Sequence, residues 1–79
     1  MQVNAAGSAG YVNVREWPDL NAPVVTRWNN PSRGSDWGSG YWCGEEHWDG
    51  ERTWSYIQFE TRSGNWIEGW VSDKVLHFL

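Results

Sequence analysis

The sequence predicts a small all-β domain, a strongly bent barrel of five short strands with one 3-10 turn near the C-terminus. The apolar residues are unusually aromatic, with 8 Trp, 3 Tyr and 2 Phe among 79 residues. Leucine and alanine do not recur at the spacing that a helical bundle of this size needs. The 9 Gly and 3 Pro are scattered along the chain, as expected for short strands joined by tight turns.

The length allows one domain, whose core is close to the lower limit for independent folding. Residues 1–10 are mostly small or polar and lack the basic and apolar segments of a signal peptide, so they predict a flexible N-terminal arm or linker. Residues 11–79 are predicted to form the barrel. We expect an extracellular or cell-envelope location if the chain is cut from a larger secreted protein, and a cytoplasmic one if it is full length.

Period-two alternation marks the first strand, residues 11–15, in which Val12 and Val14 share one face. Residues 16–23 contain two prolines and several turn-forming residues, which predict a loop. The β-branched segment 24–28 predicts the second strand. These elements establish a β pattern at the start of the domain.

The middle of the chain is predicted to hold a long connection and a hairpin. Residues 29–40 are rich in Asn, Ser and Gly and include Trp37, which indicates an exposed loop. A third strand starts at residues 41–43. The charged stretch that follows is centred on Asp49-Gly50, a strong hairpin signal.

The last third of the chain contains the clearest strand, residues 53–60, where Ser55, Ile57 and Phe59 share a face. After a turn, residues 66–71 return as the next strand. Ser72 then caps a single helical turn, and the final residues, 77–79, are candidates for a last short strand.

Three segments resemble motifs of the bacterial Src-homology-3-type, or SH3b, family, and they occur in that family's order. Val12–Arg15 resembles the opening "(L/V)NVR" strand, and Trp54–Ile57 resembles the "WYKV" strand. Residues 69–76 resemble the closing "GWV" strand and helical turn. The resemblance implies an SH3-like barrel that acts as a non-catalytic binding module for a peptide, most often one from bacterial cell-wall peptidoglycan. Alternatives are an intracellular or phage protein–protein adaptor and a carbohydrate-binding module.

The tryptophans are the first candidates for ligand binding, because a closed barrel this small cannot enclose eight indoles. An exposed aromatic patch marks a contact surface. The alternative is that outward indoles pack against the loops and the N-terminal arm. Trp54 and Trp70 lie opposite Ile57 and Val71 in the alternation, so both are predicted to point outward and to form a cross-strand pair.

The resemblance also implies a peptide groove between two loops, lined by Trp17, Trp37 and Tyr41. Asp19 and Asp36 are near these residues in sequence and favour a ligand that carries an amine, although exposed acids are usually only solvated. The predicted ligand-binding residues are Trp17, Trp37, Tyr41, Trp48, Trp54, Trp70, Asp19 and Asp36.

Several functional classes are disfavoured. Six Lys and Arg against ten Asp and Glu give a net charge of −4, which argues against a nucleic-acid partner. No apolar run is long enough to span a bilayer. The chain has one Cys and two His, too few for a structural zinc site, and we expect Cys43 to be a small buried thiol. We therefore predict a monomer with no cofactor, no metal and no catalytic residues.

Overall fold

The computed structural model describes residues 2–29, 40–60 and 64–78, which form seven strands and one 3-10 turn. The 3-10 turn, Asp73–Val75, lies between the last two strands. In chain order the strands are β1 (Gln2–Ala5), β2 (Tyr11–Arg15), β3 (Val24–Asn29), β4 (Gly40–Trp48), β5 (Thr53–Glu60), β6 (Trp66–Ser72) and β7 (Leu76–Phe78).

All seven strands belong to one antiparallel sheet with the order β3-β2-β6-β5-β4-β1-β7. The predictions of an all-β fold and of a 3-10 turn near the C-terminus are confirmed. The prediction of five strands is wrong, because β1 and β7 extend the sheet. Within the described residues the sheet ends at β3 and β7, which do not pair with each other, so it is not a closed barrel.

The N-terminal segment accounts for the largest difference from the prediction. A flexible arm is wrong for Gln2–Ala5, which pairs with β4 on one side and with β7 on the other. Val3 and Ala5 point inward and are buried in the core. The alternation of two inward residues over a four-residue strand is too short to stand out from a small, polar composition. β1 therefore belongs to the same sheet as the predicted barrel strands.

The core lies on one side of the sheet and is built around an aromatic stack. The rings of Trp28 and Phe59 lie nearly parallel, with centroids 5.0 Å apart and an interplanar angle of 7°. Ile57 and Val71 are also fully buried, as the alternation of β5 and β6 predicts. The buried core cluster comprises Val3, Ala5, Val12, Val14, Trp28, Ile57, Phe59 and Val71.

The 3-10 turn is fixed to the sheet by two serines. Ser72 caps it as predicted, since its hydroxyl accepts a hydrogen bond of 3.3 Å from the backbone N–H of Lys74. Ser55 is buried on the core face of β5, and its hydroxyl donates to the carboxylate of Asp73. A buried hydroxyl needs such a partner, so this bond explains how a serine is accommodated among apolar neighbours.

A β-bulge interrupts β4 where it pairs with β5. The register shifts between Trp42 and Glu46, and Gly44 has a φ of 89°, which favours glycine. The indole N–H of Trp42 donates to the carbonyl of Glu45 at 3.2 Å across the bulge. After the bulge β4 continues to Trp48, so this strand is much longer than the predicted third strand.

The predicted Asp49-Gly50 hairpin is confirmed between β4 and β5, and Asp49 organises it. Its Oδ1 accepts hydrogen bonds from the backbone N–H groups of Glu51 and Arg52, at 2.8 and 2.9 Å. Its Oδ2 accepts a 2.7 Å bond from the indole N–H of Trp54. The bond from Trp54 and the two backbone bonds lower the pKa of Asp49 to about 2, from an ordinary value of 3.8.

We expect Asp49→Asn to flatten the acid dependence of stability. The folded-state pKa lies below the unfolded value, so the Asp49 carboxylate stabilises the fold fully above pH 3.8 and loses that contribution as pH falls through about 2. Urea midpoints measured by Trp fluorescence from pH 7 to pH 2 would show a smaller decrease below pH 4 in the variant than in the wild type. Glu51→Gln is the matched control and should keep the wild-type slope. Equal slopes for wild type and Asp49→Asn would contradict the prediction.

Candidate ligand-binding face

The side of the sheet opposite the core, which we call the outer face, carries a group of aromatic side chains. Tyr56 pairs with Trp70, and Glu60 pairs with Trp66, across β5 and β6. Tyr41 on β4 pairs with Gln58, so it reaches the same face. The aromatic patch consists of Tyr41, Tyr56, Trp66 and Trp70.

The four rings form two contacting pairs. Tyr56 and Trp70 meet edge to face with centroids 5.1 Å apart, and both are partly buried. Tyr41 and Trp66 are tilted by 35° with centroids 6.3 Å apart. The exposed fractions of Tyr41 and Trp66 are 43% and 57%. The patch thus combines a supported ring pair with two rings open to a ligand.

Carboxylates give the aromatic patch a negative character. Glu68 shares the outer face with Trp66 and Trp70, because side chains alternate along β6. Burial raises the pKa of Tyr56, and the charge of the nearby Glu68 carboxylate and hydrogen bonding to it raise the pKa further. Tyr56 therefore stays protonated and acts as a donor at neutral pH.

Cys43 also lies on the outer face and is exposed, so the prediction of a buried thiol is wrong. Alternation correctly placed it with Tyr41, whose carbonyl is 3.9 Å from the Cys43 Sγ. The prediction was wrong because the face that Cys43 shares with Tyr41 is the exposed face of β4, not the core face. Partial burial raises the pKa of the thiol, as do the charges of Glu68 and Glu45. A raised pKa reduces the thiolate fraction, which makes Cys43 a weak nucleophile.

Of the predicted binding residues, Tyr41 and Trp70 belong to the aromatic patch. Trp17 is exposed in the β2–β3 loop, and Trp48 is 63% exposed at the end of β4. Because β6 and β5 separate β2 from β4, the Trp17 loop and Tyr41 belong to different parts of the sheet. The order of the strands gives no support to the predicted groove of Trp17, Trp37 and Tyr41.

The two predicted acidic residues differ in what the structure shows. Asp19 shapes its own loop, since its Oδ1 accepts a 2.8 Å hydrogen bond from the backbone N–H of Asn21. This local bond is the usual role of an aspartate in a turn. Asp36 lies outside the described residues, as does Trp37.

Trp54 was predicted to be an outward ligand-binding residue, but it is only 1% exposed. It faces away from the core as predicted, yet it is covered and its indole N–H is bonded to Asp49. The predicted cross-strand pair with Trp70 is also wrong, because Trp54 pairs with Ser72. Alternation determines which way a side chain faces, whereas cover from other segments determines its exposure.

Three residues of this face were not among the predicted binding residues: Tyr56, Trp66 and Glu68. Alternation had grouped Trp66, Glu68 and Trp70 on one face of their strand. The missing information was the register of the β5–β6 hairpin, in which Glu60 lies opposite Trp66. Counting outward from that pair brings Tyr56 opposite Trp70, so a register hypothesis could have identified the aromatic patch.

Metal-ligating side chains are not clustered in residues 2–29, 40–60 and 64–78. No group of three His, Cys, Asp or Glu side chains there is arranged to hold a metal ion. In the same residues no helix has the length and apolar character needed to cross a membrane.

No protein family, curated protein or solved structure matches this chain. The chemistry of the outer face therefore has to be derived from its own side chains. Flat ring faces bury and stack apolar or planar groups, and rings next to a carboxylate attract cations. This combination suits recognition of a ligand that carries both an apolar surface and an ammonium group.

Proposed function

We propose that this protein is a non-catalytic binding module that recognises a peptide ligand on its aromatic patch. The observation that supports this proposal is the exposure of the contacting Trp66 and Tyr41 rings on the face that also carries Glu68. The rings bury and stack parts of the ligand, and the Glu68 carboxylate attracts an amino group. Binding requires no bond to be broken.

The ligand class that we propose is a cell-wall peptide with a free amino group. The SH3b-like motifs in β2, β5 and β6 favour peptidoglycan peptides, and the charge of the outer face favours a cation. An ammonium over an aromatic ring contributes about 0.5–1 kcal/mol at an exposed site, and more when it is desolvated. Stacking on Trp66 and attraction to Glu68 therefore act on different parts of one ligand.

Trp66→Ala and Trp48→Ala form a matched pair to test the proposal. Both remove an exposed indole from the end of a strand, but only Trp66 belongs to the aromatic patch. In calorimetric titrations with a soluble muropeptide, we expect Trp66→Ala to weaken binding at least about tenfold, as loss of an anchoring Trp does. Trp48→Ala should bind as the wild type does.

Glu68→Gln tests the role of the amino group. It should weaken binding of the muropeptide but not of its N-acetylated form, which has lost the cation. Equal losses in Trp66→Ala and Trp48→Ala would contradict the proposal, as would the absence of saturable binding at millimolar muropeptide. Binding of glycan chains without peptides would instead indicate a carbohydrate-binding module.

A further inference from the structure

A cleft of about 400 Å³ collects three of the chain's six basic residues. Arg15 comes from β2, Arg52 from the β4–β5 hairpin and Lys74 from the 3-10 turn. Among the described residues that line this cleft there is no Asp or Glu. The net charge of the chain is −4, so a cleft lined by three basic residues is a local region of positive charge.

The rest of the lining suits a small polar group held against an apolar floor. Ser8, Asn13 and Ser72 contribute hydroxyl and amide groups, whereas Leu20 and Val75 contribute apolar surface. None of the four residues of the aromatic patch lines the cleft. The cleft adjoins the aromatic patch, because Arg15 pairs with Trp70 across β2 and β6, but its described lining is a separate set of residues.

Arg15, Arg52 and Lys74 have few ion pairs with carboxylates among the described residues. The Nη1 of Arg15 donates to the backbone carbonyl of Ala22 at 2.9 Å, a neutral acceptor that orients the guanidinium. In the part of the chain that the structure describes, the one carboxylate at ion-pair distance from these three cations is that of Glu51, 3.5 Å from the Nη2 of Arg52. Glu51 is exposed, so this pair contributes little.

Arg52 also has an unsatisfied hydrogen-bond donor. Its Nε–H is buried and has no hydrogen-bond acceptor among the described residues. A buried donor without a partner costs about 1–3 kcal/mol, so a nearby acceptor would stabilise Arg52. The neighbouring carboxylate of Asp49 also attracts Arg52, but it accepts its hydrogen bonds from two backbone N–H groups and from Trp54.

We propose that this cleft binds an oxyanion, either a carboxylate or a phosphate group. Guanidinium groups hold both through paired, charge-assisted hydrogen bonds, and Lys74 adds a third positive charge. The hydroxyl groups of Ser8 and Ser72 are further donors. Because the Nε–H of Arg52 is buried, an oxyanion in the cleft reaches it only if the side chain shifts, and otherwise it is held by the Nη groups.

The experiment is a ¹H–¹⁵N NMR titration of the full chain with inorganic phosphate and, separately, with acetate. Sodium chloride at equal ionic strength controls for screening. We expect saturable shifts of the Lys74 amide and the Trp54 indole N–H with at least one oxyanion, while the Trp66 indole signal stays in place. Saturation with phosphate alone or with acetate alone identifies which oxyanion the cleft accepts.

Lys74→Gln and Arg27→Gln each remove one positive charge, but only Lys74 lines the cleft. Lys74 is exposed, so we expect the variant to fold and to bind the oxyanion about fivefold more weakly, the effect of losing one exposed ion pair. Arg27→Gln should change the Kd less than about twofold. Linear shifts equal to those in chloride, or equal losses in both variants, would overturn the proposal.

Discussion

Removal of residues 1–5 should abolish the native sheet. β1 lies between β4 and β7, so its loss leaves both neighbours with unpaired backbone groups and detaches β7 from the sheet. Val3 is fully buried, which alone corresponds to about 1.5–3 kcal/mol of burial energy. Because a domain of this size is stable by only about 5–10 kcal/mol, we expect a poorly dispersed NMR spectrum and no cooperative urea transition.

Two substitutions within β1 test whether the loss of stability comes from the buried Val3 side chain or from shortening the chain. Val3→Ala should lower the free energy of unfolding by about 2 kcal/mol, because it leaves a cavity in the core. Gln2→Ala alters an exposed side chain on the same strand and should change the free energy by less than about 0.5 kcal/mol. A truncated chain with wild-type spectra and urea midpoint would show that β1 is dispensable.

Trp28→Ala should destabilise the fold even more than Val3→Ala does. The indole is fully buried, stacks on Phe59 and packs so closely over Gly40 that a Cβ there would lie 2.9 Å from the ring. Removing a buried Trp costs about 3–5 kcal/mol, which approaches the whole stability of a small domain. We expect the variant to be largely unfolded at 25 °C.

Trp66→Ala and Trp48→Ala are the controls, since both remove an exposed indole. Each should change the free energy of unfolding by less than about 0.5 kcal/mol in urea titrations followed by far-UV circular dichroism. If Trp28→Ala is as stable as these two variants, the stack on Phe59 does not hold the core together.

Local signals in the sequence predicted the elements that depend on neighbouring residues. Residues 53–60 form β5 with the predicted bounds, because alternation of apolar and polar residues there is long and regular. Asp49-Gly50 forms its hairpin because the aspartate satisfies the N–H groups of its own turn. Ser72 caps the 3-10 turn for the same kind of local reason.

Features that depend on distant segments could not be predicted in the same way. β1 is a strand because Val3 fits between Gly40 and Phe78, residues far from it in sequence. Trp54 and Trp66 both face outward, yet only Trp66 is exposed, because other parts of the chain cover Trp54. Composition counted the tryptophans without indicating which ones the fold would cover.

The candidate site shows the same division. Trp70 was placed outward by alternation alone, whereas Tyr41 was selected as part of a loop groove and lies on the outer face of the sheet. Tyr56 and Glu68 required the β5–β6 register, and the separation of the Trp17 loop from Tyr41 required the strand order. The aromatic patch that we propose lies on the sheet, whereas the predicted groove lies between loops and includes Trp37, which is outside the described residues.

The position of β1 also bears on how this sheet can form during synthesis. Val3 pairs with Phe78, so β1, which is made before the other described strands, can complete its ladder only after almost the whole described chain has been made. Until β7 is made, the Val3 side chain, which is fully buried in the folded domain, lacks part of its surrounding sheet. Such a long-range closure slows folding, and the unfinished sheet exposes strand edges to other chains. We expect nascent chains arrested before β7 to depend on chaperones, although the finished domain is small.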